Sequence, residues 1–173
     1  MTGLSHDQVR RLVDLTGVLR READACAKAR HWRAAAMLIA QSVEAGLVAT
    51  VWSCQPELRA LHAWPKRTET PPQQWPFGTL LAVARSAGWL TQSLPVDTSP
   101  IDGLSGDIGD AVSFLQEARN LAVHPGRAVI GGRVPGLDFG DDRLMAQTYR
   151  LLQGLSGALF EKLTDVIDAL AEP

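Results

Sequence analysis

The stretch AAAMLIAQSVEAGLVATVWSC, Ala34 to Cys54, constrains this chain more than any other. Its apolar residues surround a helical axis instead of marking one stripe, so the helix it predicts must be covered on every side. Lipid and protein are the two possible covers, and the run is about long enough to span a bilayer. Gln41, Ser42 and Glu44 near its middle decide against lipid, because a carboxylate at mid-membrane is expensive. The expectation is a central buried helix, no membrane partner, and a chain that supplies other helices to surround it.

At 173 residues the chain suits one domain, 1–173, with a sizeable core. Apolar residues make up 46% and charged residues 21%, the balance of a soluble globular protein. A first helix is expected to open at Ser5, where Ser-His-Asp-Gln has the form of a capping box. Val9, Leu12, Val13, Thr16, Leu19, Ala23 and Cys26 then recur at helical spacing as its apolar face.

The central helix is expected from about Arg33 to Cys54 or beyond, followed by a loop rich in proline from Leu61 to Gly78. A shorter helix is predicted in TLLAVARSAGWL, then a loop whose Asp107 can cap a helix ending at His124. That helix should bury Ile108, Ala111, Val112, Leu115, Ala118 and Ala122. A Gly/Pro-rich stretch with room for a hairpin at Gly131–Gly132 precedes a long closing helix, from Asp141 to Ala171, with Met145, Leu152, Leu159 and Val166 at sevens. The fold class is thus all-α, an up-and-down bundle of about five helices.

The chemistry-bearing stretch is EARNLAVHPGR, Glu117 to Arg127. Asn120 and His124 lie four apart and share a helical face, and Arg119 can swing toward them. An arginine fork matches two phosphate oxygens and stabilises charge that develops on them, while histidine transfers protons near neutrality. From Ala118 to Gly136 the chain carries Arg119, Arg127 and Arg133 with no acidic residue, a basic stretch in a chain of net charge -2 and a candidate RNA contact. The competing reading is structural: such side chains also satisfy the free carbonyls of a helix end, and Pro-Gly is an ordinary stop. Glu44 likewise has two readings, a partner that holds Arg119 in a cleft, or an acid that reaches solvent or caps a buried polar group.

The segment RAAAMLIAQSVEAGLVAT, followed later by LQEARNLAVHPGR, resembles the HEPN superfamily, whose late helix ends in an Arg-x4-6-His motif, often with a polar residue after the arginine. Arg119, Asn120 and His124 match that motif in order and spacing, and the resemblance covers roughly residues 33–126. It implies a HEPN-like bundle, a homodimer whose two motifs form one cleft, and metal-independent endoribonuclease activity or RNA binding. Arg119 would then hold the scissile phosphate, His124 would move the proton, and Asn120 would orient either. The resemblance also implies a role in toxin-antitoxin or anti-phage defence, with an antitoxin or nucleotidyltransferase as partner. The alternative function is a non-catalytic helical interaction module that binds a partner protein or a nucleotide.

The remaining features are bland. Cys26 and Cys54 fall in apolar helical patterns and read as buried free thiols of a cytoplasmic protein. His6, His31 and His62 have no ligand spacing, so no metal or other cofactor is expected. Trp52 and Trp89 read as core, and Trp64 and Trp75 as packing for the proline-rich loop in preference to RNA-stacking rings.

Overall fold

The computed structural model describes residues 4–65, 70–90, 108–124 and 136–171. Among them every regular element is helical: α1 His6–Lys28, α2 Trp32–Ser53, α3 Gln55–Ala60, α4 Phe77–Ser86, α5 Ile108–Val123 and α6 Asp142–Ala171, with a 3-10 turn at Pro72–Gln74. The all-α class predicted from apolar spacing is what the chain adopts. Asp107 and the expected hairpin at Gly131–Gly132 lie outside the described residues.

Helix α1 begins as its sequence dictates. The Gln8 amide donates to Ser5 Oγ at 3.3 Å and the Ser5 amide donates to Gln8 Oε1 at 2.8 Å, a reciprocal capping box. A three-residue link then returns the chain into α2, and the two helices pack along their lengths.

Helix α2 is the hub: α1, α4, α5 and α6 all pack on it. Its apolar window passes the length and hydropathy test for a membrane span, yet 72% of that window is buried against the other helices. Ala35, Ala36, Ala40, Val43 and Leu47 have no exposed surface at all. The small residues let neighbours approach closely. A Cβ on Gly46 would stand 2.5 Å from Phe160 Cε1, so this glycine makes the room on α2 that the Phe160 ring of α6 occupies.

The central helix stops earlier than its apolar pattern suggests. Pro56 has no amide hydrogen for the Trp52 carbonyl, so the chain turns at Cys54 and resumes as the short α3, an element the apolar pattern does not announce. Two turns end in left-handed residues that are not glycine, Arg30 at φ 59° after α1 and His62 at φ 57° after α3. Each is followed by a residue whose amide reaches back five positions, His31 to the Cys26 carbonyl at 2.8 Å and Ala63 to the Leu58 carbonyl at 2.9 Å. At the end of α4, Gly88 takes the same conformation at φ 77°.

The expected core faces hold with specific departures. On α5, Ala111, Val112, Leu115 and Ala118 are buried, joined by Phe114 and Leu121. Val13, counted with the core face of α1, is 50% exposed, because it lies on the border of that face where α1 faces the far end of α6. Cys54 is buried and Cys26 only half-buried, both with free thiols. Trp52 and Trp89 are in the core, and Trp75 is buried edge to face with Trp64 at 4.9 Å between ring centroids. The loop tryptophans therefore pack the proline-rich segment against the bundle.

Candidate functional site

Helix α5 carries Arg119 just before its last turn and Asn120 at the start of that turn, and hands the chain to His124. The His124 amide donates to the Asn120 carbonyl at 2.8 Å, so helical hydrogen bonding runs one residue past the last helical position, Val123. That bond fixes the backbone of the two residues one turn apart. His124 itself is exposed and Asn120 half-buried. Among the described residues, no hydrogen bond joins the side chains of Arg119, Asn120 and His124 to one another.

Arg119 lies against the hub. Because α5 packs on α2, the arginine is half-buried, and its Nε is fully buried with no hydrogen-bond partner. A buried donor without an acceptor costs about 1–3 kcal/mol, so this atom needs either a ligand or a structural reason. Glu44 of α2 is the acidic group whose electrostatics it shares. Burial pushes the Glu44 carboxyl above its ordinary range, and the Arg119 guanidinium pulls it part of the way back. The two do not close to ion-pair distance, and the one ion pair among the described residues within 4.0 Å is Arg30–Asp142. They interact through space, by charge alone.

The structure thus brings Arg119 to Glu44 and aligns Asn120 with His124 along α5. Arg127 and Arg133 lie outside the described residues. His6, His31 and His62 are all exposed, and no group of three potential metal ligands exists among the described residues.

A second polar cluster has no counterpart in the sequence reading. Tyr149 Oη donates to Asp24 Oδ1 at 2.8 Å, and Gln153 Nε2 donates to the same oxygen at 2.6 Å. Nearby, Trp32 Nε1 donates to Asp142 Oδ1 at 2.7 Å and Arg30 to Asp142 Oδ2 at 2.9 Å. These bonds tie α6 to the α1–α2 turn. The only available sequence signal is a carboxylate, Asp24, beside the buried face of α1, and its partners lie 125 and 129 positions away.

Comparison of the chain with models of known protein families, with curated proteins and with solved structures finds no match.

Proposed function

We propose that the chain is a HEPN-like helical bundle that acts on RNA as a metal-independent endoribonuclease, with Arg119 and His124 as catalytic residues and Asn120 and Glu44 in support. The observation that carries this reading is the state of Arg119: a half-buried guanidinium with a buried, unpartnered Nε, five residues before an exposed histidine. A phosphodiester oxygen would give that donor its acceptor and would meet the guanidinium fork with two oxygens. Glu44 would hold the fork in place by charge without consuming its hydrogen bonds.

In the reaction proposed, the RNA 2′-oxygen attacks phosphorus as its proton leaves. The bond to the 5′-oxygen breaks, and that oxygen takes a proton. The products are a 2′,3′-cyclic phosphate and a 5′-hydroxyl. His124 moves one of these protons, and Arg119 stabilises the charge that grows on the phosphoryl oxygens. A homodimer would place two such helix ends on one RNA strand, with Arg127 and Arg133 as further phosphate contacts. A toxin-antitoxin or defence setting, a cytoplasmic location, and an antitoxin or nucleotidyltransferase partner belong to the same reading.

One observation favours a second reading. Arg119 leans into α2 beside Glu44, which also suits a non-catalytic module in which the pair holds α5 to the hub while the bundle docks a partner protein or nucleotide.

The deciding experiment is cleavage of a mixed RNA pool by purified protein in EDTA, with Arg119→Ala and His124→Ala prepared identically. Wild-type cleavage leaving cyclic-phosphate ends, absent from both variants, supports the enzyme. Three folded, dimeric and equally inert proteins support the module. A strictly monomeric protein by light scattering removes the shared cleft.

A further inference from the structure

Helices α1 and α6 both pack on α2, but their backbones stay apart, leaving a furrow spanned by side chains. Near the turn between α1 and α2 this furrow opens into a cavity of about 370 Å³ lined by Asp24, Lys28, Trp32, Ala146, Tyr149 and Arg150, among others. A neighbouring cavity shares Lys28, Trp32 and Ala146 and adds Arg143. On α2, Trp32 is twelve residues from Glu44, roughly 18 Å at the helical rise, so this is a separate place from the α5 site.

The chemistry of the lining is specific. Asp24 is fixed by two donors on Oδ1, and Oδ2 has no hydrogen-bond partner among the described residues. Lys28 and Arg150 have no carboxylate within ion-pair distance among those residues. One held carboxylate with a vacant acceptor and two cations without an ion-pair partner therefore line the same small cavity, Asp24 and Lys28 one turn apart on α1 and Arg150 on α6. Trp32 is 8% exposed and Tyr149 6%, so neither ring offers a face on which a nucleobase could stack. The small exposed parts of these rings form a short apolar wall with the methyl groups of Ala27 and Ala146.

We infer that this cavity binds a small zwitterion, an α-amino acid with an aliphatic side chain. Its ammonium group donates to Asp24 Oδ2, and its carboxylate lies between Lys28 and Arg150. Its side chain rests on the alanine methyls and ring edges. Each pole of the ligand meets the opposite charge, and the carboxylate on Asp24 gains the donor it lacks. This inference stands apart from the ribonuclease reading, because it uses none of the α5 residues.

The test is calorimetric titration of the full chain with L-leucine, L-methionine, N-acetyl-L-leucine, L-leucinamide and AMP. The free amino acids should bind, and blocking either the amine or the carboxylate should weaken binding about tenfold or more. Lys28→Gln with Arg150→Gln should abolish binding with little change in the thermal midpoint, since both residues are exposed and neither is in an ion pair among the described residues. Asp24→Asn, which keeps an acceptor for Tyr149 and Gln153 but puts an amide donor where Oδ2 stood, should abolish binding too, and the exposed double variant decides the matter if Asp24→Asn unfolds the chain. Blocked derivatives that bind as tightly as leucine, a double variant that still binds, failure of both amino acids to bind, or binding of AMP in their place would each overturn the inference.

Discussion

Glu44 and Arg119 share a half-buried space between α2 and α5 in which burial outweighs attraction: the carboxyl is raised despite the guanidinium beside it. A raised carboxyl makes the folded state bind protons more readily than the unfolded one. The stability tied to protonated Glu44 is therefore fully present below its ordinary value of 4.5 and is lost as pH rises through the higher folded value. Glu44→Gln, neutral at every pH, should gain on the wild type in denaturant midpoint between acid and neutral pH. Arg119→Gln removes the opposing field and should push Glu44 higher still, visible in an NMR titration of the Glu44 carboxyl carbon. A wild type that holds or widens its lead over Glu44→Gln toward neutrality would show that the pair is net stabilising and the assigned sign wrong.

Asp142 is the opposite case. It accepts from Trp32 Nε1 and Arg30, and these hydrogen bonds, Trp32's first, hold its carboxyl below the ordinary aspartate value of 3.8. Its contribution is present above that value and disappears as pH falls through the lower folded one. Asp142→Asn should lower the melting temperature at neutral pH, with the deficit closing in acid. The effect is expected to be modest, because the group is solvent-exposed and its ion pair is screened. A deficit that persists unchanged in acid would trace to packing or to a hydrogen bond that the neutral carboxyl still makes, and not to the charge of Asp142.

The parts of this fold legible in the sequence are those decided within a few residues. The capping box at Ser5 acts locally and α1 starts accordingly, the all-round apolarity of α2 announces its burial though not its early stop, and the proline block before α4 places that helix's start to within two residues. The turns at Arg30 and His62 could not be read, because left-handed helix ends are normally announced by glycine or asparagine and neither is present. Nor could the Asp24–Tyr149–Gln153 cluster, whose partners meet only once α6 has docked on α2. The Arg119–Glu44 neighbourhood was open to two readings in the sequence, since a lone acid in an apolar helix states no partner. Arg119 emerges as its electrostatic neighbour because α5 lies on the face of α2 that carries it.

Gly46 makes a sharper packing prediction. Alanine there improves helix propensity by about 1 kcal/mol but places a methyl group inside the contact distance of Phe160. Overpacking costs about 1–3 kcal/mol, so Gly46→Ala should be destabilised on balance, measured by chemical denaturation. Adding Phe160→Leu should return part of the loss, since it removes the ring carbon that clashes. Equal losses with and without the second change would place the strain elsewhere in the α2–α6 crossing.

The two left-handed residues separate backbone strain from side-chain attachment. A non-glycine residue in that conformation costs about 1–2 kcal/mol, part of which glycine gives back through greater freedom in the unfolded chain. His62 is exposed, and among the described residues its ring bonds only to the nearby Ala60 carbonyl at 3.0 Å, so His62→Gly loses little else. It should raise stability by about 0.5–1 kcal/mol in urea denaturation. Arg30 has the same backbone angle but donates to Asp142 on α6, and Arg30→Gly forfeits that link. Its gain should therefore be smaller than that of His62→Gly, and in an Asp142→Asn background, where the ion pair is already gone, the difference should shrink. Equal gains in the native background would mean that the Arg30–Asp142 contact adds nothing to holding α6 against the α1–α2 turn.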